Sequence, residues 1–275
     1  MTRKTKHPKL NKDTLHLFNE KGYLIFDFID KDKLNEVKKD LYLMILDSLR
    51  LNYPEFIKKN KKNIKIKNFV LNEGLIHLEK KNHKFLANIY DVIAKTTSFL
   101  NLICEKKIVQ VINFLLERNE NSNLYINSNS IRMDMPHDKR FYYGWHRDNN
   151  TNIKGSNFLQ LWMPIISSIT SEIGGLRILE GSHLANLRTS ETTNEKKLQK
   201  KKAAMRTNYD AIVYGKDNFK EKLITLNLGQ CVIFKNSLTH KGGLNKSKKV
   251  RYAANAFYHN TYLLDNKFVN LDFKT

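Results

Sequence analysis

The segment Tyr143-Gly144-Trp145-His146-Arg147-Asp148-Asn149 carries the most information about the fold and chemistry of this chain. Side chains two positions apart on a β-strand point to the same side, so His146 and Asp148 are expected to face one cavity. An imidazole and a carboxylate on one face supply two ligands of a 2-His-1-carboxylate site, which suits Fe(II) because other coordination positions stay open. The same pattern also arises by chance in surface turns, so a third ligand has to decide between the two interpretations.

His240 is the candidate for that third ligand. It follows the apolar run 231–234, which is typical of a buried strand, and it precedes Gly242 and Gly243, where the chain can turn tightly. Arg251 stands eleven residues after His240, at the head of another apolar run. A single turn between antiparallel strands would bring both side chains to one cavity, whereas His240 taken alone is more typical of a hydrogen-bonded turn histidine.

The second half of the chain alternates short apolar runs with turns that contain Gly and Asn. These runs cover residues 124–133, 142–145, 158–166, 176–179, 223–226, 231–234 and 251–258. Many short strands predict an all-β sandwich or barrel rather than βαβ units. The first half shows helical spacing of apolar residues instead, over 33–49 and 75–116. A polar, Lys-rich stretch at 185–222 predicts a lid or binding loop inserted in the β region.

Composition excludes several classes of protein. The 275 residues are 41% hydrophobic and 11% aromatic, with only 11 Gly and 4 Pro, which is unlike disordered or low-complexity chains. No run approaches the roughly 18 apolar residues that span a bilayer, and no secretory signal follows the basic N-terminus. The distant Cys104 and Cys231 are expected to be buried thiols, and the cytoplasm is the expected location.

The chain carries 48 Lys and Arg against 27 Asp and Glu, a net charge of +21. Such an excess indicates either a polyanionic partner or the Lys, Asn and Ile usage of an AT-rich genome. Only ten of the basic residues are Arg, the side chain that recognises bases and phosphates bidentately, so the compositional interpretation is favoured. A nucleic-acid-binding protein that uses the Lys-rich stretches 58–67 and 196–202 is an alternative, although no DNA- or RNA-binding motif supports it.

The order and spacing of His146-x-Asp148, His240 and Arg251 resemble the Fe(II)- and 2-oxoglutarate-dependent oxygenases, and specifically the phytanoyl-CoA dioxygenase family, to which ectoine hydroxylase is related. Two further segments agree. Residues 174–183, Gly-Gly-Leu-Arg-Ile-Leu-Glu-Gly-Ser-His, are similar to the family's Gly-x-Leu and Pro-Gly-Ser/Thr-His segment. Residues 18–28 are similar to its Phe-x-x-x-Gly-Tyr opening. The resemblance therefore extends from about residue 15 to residue 257.

The resemblance implies a mainly β fold with flanking helices, a double-stranded β-helix or jelly roll. We expect one oxygenase domain over 1–275, with a helical flanking region at 12–120, the jelly-roll core at 124–260 and the lid at 185–222. The residues that match family positions are the iron ligands His146, Asp148 and His240, the arginine for the distal carboxylate of 2-oxoglutarate, Arg251, and a tryptophan of the cosubstrate pocket, Trp162. Two departures are Gly242, where the family often has Ser, and Glu180 in place of Pro.

The implied reaction uses Fe(II), 2-oxoglutarate and dioxygen to hydroxylate a small molecule, with release of succinate and carbon dioxide. Asp148 favours hydroxylation, since related halogenases have a small residue there that leaves room for chloride. The charges of Fe(II), Asp148, 2-oxoglutarate and Arg251 sum to zero, so the assembled site can be buried. A jelly-roll metalloenzyme that does not use 2-oxoglutarate is the second alternative, and Arg251 discriminates between the two.

Further polar residues are weaker candidates. Gln160 and Asn129 are expected to contact the cosubstrate, and Asn255 is either a cavity residue or a satisfied buried amide. Strict alternation along 124–133 places Asn127 and Asn129 on one face and Arg132 on the other. The residues expected to have structural or surface roles are His77, His83, His137, His183 and His259, and those expected to point away from the metal are Trp145 and Arg147.

The substrate cannot be named from the sequence, although its charge can be predicted in outline. Five lysines on the expected lid, Lys196, Lys197, Lys200, Lys201 and Lys202, suggest an anionic small molecule. No membrane partner is expected.

Overall fold

The computed structural model describes residues 9–118, 124–139, 144–148, 158–185, 189–191, 211–213 and 215–260. Its N-terminal part is helical, with α1 Lys12–Lys21, α2 Lys31–Asn52, α3 Pro54–Lys59, α4 Lys67–Phe69, α5 Leu75–Lys81, α6 Lys84–Ile93, α7 Thr97–Ile103 and α8 Lys106–Leu115. A π-helical turn, Val70–Gly74, joins α4 to α5. No helix in these ranges is both long and apolar enough to span a membrane.

Local sequence explains where the first helices begin and end. The Asn11 side chain accepts a hydrogen bond from the Thr14 amide and caps α1, which ends at Gly22 in a left-handed conformation with φ of 80°. Asp30 caps α2 in the same way through the Asp32 amide. The buried side of α2 follows the expected spacing of three and four residues, with Leu34, Val37, Leu41, Ile45, Leu46 and Leu49 inward.

The strands form two antiparallel sheets and a small ribbon. They are β1 Tyr23–Asp27, β2 Tyr125–Asp134, β3 Phe158–Pro164, β4 Leu176–Leu179, β5 Thr189–Glu191, β6 Ala211–Val213, β7 Glu221–Ile224, β8 Gln230–Lys235, β9 His240–Gly242 and β10 Arg251–His259. The large sheet has the order β1-β8-β3-β10-β2, the small sheet the order β7-β4-β9, and β5 pairs with β6. The segment 144–148 joins the small sheet through a bridge between His146 and His240.

The two faces of the large sheet bury different cores. One face packs against the helices and includes Leu159, Leu161, Met163, Ala254 and Tyr258. The other, called here the inner face, packs against the small sheet, so Trp162, Val232, Phe234 and Ala253 cluster with Ile178 and Leu226. Two facing antiparallel sheets with helices on one side confirm the predicted jelly roll and its helical flank.

A β-bulge interrupts the alternation along β2. Asn255 pairs with Ser130 and Phe257 with Asn127, so β2 has one more residue than β10 between these pairs. Ser128 adopts a positive φ of 49° there. Residues on the two sides of the bulge therefore do not obey one alternation rule, which decides the direction of several predicted site residues below.

Candidate metal centre

The three predicted metal ligands lie together at the interface of the two sheets. Ligand atoms from His146, Asp148 and His240 are all within 4.8 Å of one another. His240 Nε2 lies 3.4 Å from Asp148 Oδ2, and His146 Nε2 lies 3.8 Å from Asp148 Oδ1. These separations are long for hydrogen bonds and suit ligands arranged around one ion. The side chains are largely buried, with exposures of 14%, 17% and 4% for His146, Asp148 and His240.

Backbone carbonyls orient both imidazole rings. His146 Nδ1 lies 2.7 Å from the Gly144 oxygen and His240 Nδ1 lies 2.9 Å from the Leu238 oxygen. A carbonyl only accepts, so each Nδ1 carries a proton, and Nε2 is the ring nitrogen that faces Asp148. Burial lowers the pKa of His240 to about 4. At neutral pH the His240 ring is therefore uncharged, the form that binds a metal ion.

The Asp148 carboxylate is the feature that most clearly indicates a bound cation. Its Oδ2 atom is buried and accepts no hydrogen bond from the part of the chain that the structure describes. A buried, unpaired carboxylate oxygen is costly, and a divalent cation between it and the two imidazole rings would compensate its charge. Two nitrogen ligands and one oxygen ligand also match the donor set of a facial triad, so these residues fit the predicted iron.

The local fold positions the ligands through backbone pairing. The amides and carbonyls of His146 and His240 exchange two hydrogen bonds of 2.9 and 3.0 Å, and the Asp148 amide donates to the Asn236 carbonyl. Arg147, between the two ligands, points away from them as predicted and donates to Thr239 Oγ1 and to the Ala185 carbonyl. The short segment 144–148 is thereby tied to β9 and to the turn that precedes it.

Arg251 reaches the same cavity from the first position of β10. An added Cβ at Gly242, two residues after His240, would lie 3.9 Å from Arg251 Nη2. Arg251 is buried, with 6% of the residue exposed, and four of the five N–H donors of its guanidinium have partners. Nε and Nη2 donate to Asp134 Oδ2 at 3.0 and 2.8 Å, and Nη1 donates to the Gly174 and Gly243 carbonyls. One Nη2 hydrogen has no partner among these contacts. Two hydrogen bonds from the guanidinium to a carboxylate therefore require one of the existing contacts to change.

Asp134 is a site residue that the sequence analysis missed. Its carboxylate bridges two arginines, since Oδ1 also accepts from Arg132 Nη2 at 3.0 Å. Burial raises the pKa of Asp134, but the opposing effect of the Arg132 and Arg251 charges prevails and the pKa lies below its usual value. The signal was present, because Arg132-x-Asp134 obeys the same two-residue rule as His146-x-Asp148. The cluster of the three residues keeps one net positive charge.

Trp162, Gln160 and Asn255 lie on the inner face of the large sheet. Trp162 is opposite Asn255 on the neighbouring strand, and Gln160 is opposite Phe234. The Phe234 ring lies 4.9 Å from the ring of His240, which places Gln160 close to the metal ligands. Gln160 Nε2 donates to Asn255 Oδ1 at 2.6 Å. Gln160 is therefore nearer to the metal ligands along the sheet than to Arg251.

The prediction for Asn129 is corrected by the structure. Its Nδ2 donates to the Ala94 carbonyl at 2.8 Å, at the end of α6, so the side chain points to the helices and away from the cavity. The bulge at Ser128 is the reason, because the extra residue separates Asn129 from Asn127. Asn127 and Arg132 instead share the inner face, opposite Phe257 and Ala253 respectively. The expected alternation along β2 is wrong at this point.

Other histidines and a cysteine also differ from expectation. His259, predicted at the surface, is fully buried; its Nε2 lies 2.9 Å from Asn127 Oδ1 and its ring stacks on Phe158. His77, also predicted at the surface, is partly buried and its ring lies 4.3 Å from that of Phe56. Cys104 is exposed rather than buried, while Cys231 is buried. His183 has the structural role predicted for it, since Nε2 contacts the Asn19 carbonyl at 2.8 Å.

Arg251 is the buried Arg or Lys among the residues whose burial the structure describes, and Arg132 and Arg147 are partly buried. The lysines of 58–67 are exposed on and around α3. A cavity of about 380 Å³ is lined by Lys139, Arg177, Lys241 and Lys246 together with Gly242 and Gly243. Lys196, Lys197, Lys200, Lys201 and Lys202, and most of the predicted lid, fall outside the described residues.

Comparison with known proteins supports this geometry. The chain matches the family described as Phytanoyl-CoA dioxygenase (PhyH) over residues 18–253. EctD from S. alaskensis, solved with 2-oxoglutarate and 5-hydroxyectoine, is 15% identical, with 92% of this chain and 77% of that chain covered and a TM-score of 0.58. EvdO2 from Micromonospora carbonacea var. aurantiaca, solved with 2-oxoglutarate, is 13% identical, with 94% of each chain covered and a TM-score of 0.57. No curated protein matches the sequence.

A third similar structure is the epimerase SnoN in complex with Fe3+, alpha ketoglutarate and nogalamycin RO. It is 13% identical, covers 90% of this chain and 83% of its own, and has a TM-score of 0.56. The predicted cofactors, Fe(II) and 2-oxoglutarate, agree with the groups named for these neighbours and with the donor set of this chain. Since the sequence match runs through nearly all of the helices and strands described above, the chain belongs to the phytanoyl-CoA dioxygenase family.

Proposed function

We propose that this protein is an Fe(II)- and 2-oxoglutarate-dependent oxygenase that hydroxylates a small molecule. The observation that carries the proposal is the group of His146, Asp148 and His240, with two oriented imidazole nitrogens facing a buried carboxylate oxygen that has no hydrogen-bond partner among the described residues. Family membership supports the reaction class. The helices and the large sheet share one hydrophobic core, which supports our view of the chain as one oxygenase domain.

One group of residues in this chain would bind the metal ion, and a second group would bind 2-oxoglutarate. His146, Asp148 and His240 would hold Fe(II), which when bound supplies the site at which dioxygen is reduced. Arg251 would hold the distal carboxylate of 2-oxoglutarate, and Trp162 would line its pocket. The spacing suits a five-carbon diacid, because Arg251 Nη2 approaches Gly242 and the step from His240 to Gly242 along a strand is about 6.8 Å.

Hydroxylation is the reaction that we favour over the alternatives in this fold. Asp148 keeps a carboxylate at the position that a halide would need, so chlorination is disfavoured. SnoN is described as an epimerase, which means that the fold alone does not determine the outcome. Two free cysteines, Cys104 and Cys231, suit the reducing cytoplasm that we propose as the location.

The second candidate, a jelly-roll metalloenzyme without 2-oxoglutarate, is favoured by one observation. Asp134 and two backbone carbonyls already occupy four of the five N–H donors of Arg251. If that arrangement persisted, the guanidinium would offer a carboxylate only one hydrogen bond. Binding of 2-oxoglutarate therefore separates the two candidates.

The test is an anaerobic titration of the Fe(II)-loaded protein with 2-oxoglutarate, followed by a metabolite screen for stimulated succinate formation. We expect 2-oxoglutarate to bind, and we expect Asp148→Ala to weaken Fe(II) binding by more than the roughly 10- to 100-fold typical of outer partners of a metal site. Asp217→Asn, which changes an exposed carboxylate, is the matched control. Wild-type affinity for Fe(II) in Asp148→Ala, or failure of 2-oxoglutarate to bind, would contradict the proposal.

A further inference from the structure

A row of side chains crosses the inner face of the large sheet near the metal ligands. Phe257 of β10 is directly opposite Gln160 on β3 and directly opposite Asn127 on β2. Phe234 of β8 is opposite Gln160 and contacts the His240 ring, which extends the row to the metal centre. We call Asn127, Phe257 and Gln160 the amide row. Its two amides flank an aromatic ring on the cavity side of the sheet.

Both amides of the row have an unpaired atom. Gln160 Oε1 and Asn127 Nδ2 are buried and have no hydrogen-bond partner within the described ranges. Gln160 and Asn127 are 7% and 9% exposed, so water does not reach them freely. An unmet buried hydrogen bond costs roughly 1–3 kcal/mol, and two such groups on the inner face of one sheet are more than packing alone explains. They indicate a ligand that completes the row.

The other atoms of these amides fix their orientation. Gln160 Nε2 donates to Asn255 Oδ1 at 2.6 Å, and Asn127 Oδ1 lies 2.9 Å from His259 Nε2. The unpaired Asn127 group is then a donor and the unpaired Gln160 group an acceptor. Exchanging the oxygen and nitrogen of Gln160 and Asn255 would leave a donor on Gln160 instead. A ligand group that both donates and accepts hydrogen bonds satisfies either orientation.

Among the described residues, the side chains paired with or hydrogen-bonded to the amide row are uncharged. Burial lowers the pKa of His259 to about 4, so its ring is neutral at physiological pH. The charged residues of the inner face of β2 and β10 are Arg132, Asp134 and Arg251, at the other end of the strands. A carboxylate or phosphate against the row would therefore be buried without a counter-charge there, whereas an uncharged polar group would not carry that cost.

We propose that the amide row binds the substrate through uncharged hydroxyl or amide groups. The structure assigns Asn127 and Gln160 as the residues that contact these groups, and Phe257 as the apolar surface between them. This differs from the sequence-based expectations of an anionic substrate and of a cosubstrate contact for Gln160. The identification of the ligand as the substrate rests on the proposed function, while the chemistry of the row stands on its own geometry.

The experiment uses acetamide and acetate as probes, because they are nearly equal in size and differ in charge. Ligand-observed NMR titrations on the full chain, with Fe(II) excluded and with 2-oxoglutarate in excess, give the affinity of each probe. We expect acetamide to bind in the millimolar range. Gln160→Met and Asn127→Leu should each weaken that binding by about 2- to 10-fold, the worth of one neutral hydrogen bond. Asn129→Leu is the matched control, since Asn129 lies on the same strand and points to Ala94.

Three results would overturn the proposal: no acetamide binding, acetamide binding that neither row variant weakens, or acetate binding that the row variants weaken as much as that of acetamide. Thermal unfolding of each variant verifies that the fold is retained. The 2-oxoglutarate affinity of the wild type and of each variant is measured separately on the Fe(II)-loaded protein under anaerobic conditions. A wild type that binds acetamide at the row but not 2-oxoglutarate would count against the proposed function and leave the row assignment standing.

Discussion

The two ends of strand β10 present opposite environments to the same cavity. Arg251, the first residue, is buried in a charged cluster in which Asp134 and two backbone carbonyls already satisfy most of its donors. His259, the last residue, is equally buried but is neutral and lies beside Asn127, one of the amides with an unpaired atom. The difference supports the proposal that one strand carries a place for a dianionic cosubstrate at Arg251 and, about 20 Å along its length at Phe257, a place for an uncharged substrate.

The largest effect should come from breaking the charged end. Arg251→Ala leaves the buried Asp134 carboxylate with Arg132 as its remaining arginine partner, and we expect a loss of about 3 kcal/mol in the free energy of unfolding. The matched change at the neutral end, Asn127→Leu, removes an amide with one unpaired atom and should cost about 1 kcal/mol or less. Denaturant unfolding of both variants measures the asymmetry.

A double variant provides the control for this comparison. Arg251→Ala combined with Asp134→Ala removes both charges, so it should be more stable than Arg251→Ala alone. Equal losses for Arg251→Ala and Asn127→Leu would show that the two ends do not differ in the way proposed.

The pH dependence of stability should also separate the two ends. Because the pKa of His259 falls from 6.5 to about 4 on folding, the unfolded chain binds a proton there at a pH at which the folded chain does not. Its contribution is therefore fully present above pH 6.5 and is lost as the pH falls towards 4. The pKa of Asp134 is also lowered, from 3.8, so its contribution is lost only below that value.

The variant that tests this sign is His259→Gln. Thermal unfolding between pH 7 and pH 4 should show a smaller loss of stability in His259→Gln than in the wild type. Some loss should remain in the variant, because His240 has a pKa of about 4 and contributes in the same range. An unchanged pH slope would mean that His259 is not held neutral by the fold.

A smaller effect is expected where a side chain can be added at the charged end. A Cβ at Gly242 would meet only Arg251 Nη2, at an ordinary 3.9 Å, so Gly242→Ser should fold normally. If Arg251 holds the distal carboxylate of 2-oxoglutarate, the new hydroxyl adds one hydrogen bond and should tighten binding by about 2- to 10-fold. Calorimetric titration with 2-oxoglutarate measures the change.

The neighbouring glycine supplies a matched control with the opposite expectation. A Cβ at Gly243 would lie 2.5 Å from the Gly175 carbonyl oxygen, so Gly243→Ser should destabilise the protein. A 2-oxoglutarate affinity in Gly242→Ser equal to that of wild type would argue that the distal carboxylate does not lie beside Arg251 Nη2.

The sequence was sufficient wherever a regular period holds. The two-residue repeat of a strand places His146 and Asp148 on one face, and the spacing of three and four predicts the buried side of α2. The jelly roll followed from the short strands together with the family resemblance. The pair His146 and Asp148 was within reach because it depends on residue type and local spacing, whereas His240 was assigned through the family resemblance.

Other parts of the site depend on contacts that no local pattern encodes. Asn129 points to the helices because the bulge at Ser128 adds a residue to β2, and the sequence there has no glycine to signal it. His259 is buried because Phe158 of a distant segment stacks on it. The engagement of Arg251 by Gly174 and Gly243 requires three loops to meet, which only the tertiary fold determines.

The smallest effect on the free energy of unfolding should come from a substitution at Ser128, in the β2 bulge that lies between the charged end and the neutral end. Ser128 holds a φ of 49°, a left-handed conformation that glycine adopts freely and that a β-branched residue resists. Ser128→Gly should therefore change the free energy of unfolding by less than about 0.5 kcal/mol, because relief of strain offsets the added freedom of the unfolded chain. Ser128→Val should lose about 1–2 kcal/mol, measured by denaturant unfolding.

The bulge also decides which asparagine faces the cavity, so Ser128→Val has a second expected consequence. If valine removes the extra residue from the bulge, Asn127 and the residues before it turn towards the helices, because a shift of one residue exchanges the faces of a strand. Acetamide binding at the amide row should then weaken, while 2-oxoglutarate binding near Arg251 stays unchanged, since Asp134 and Arg132 lie on the far side of the bulge. Equal losses at both ends would show instead that the ends are coupled through β2.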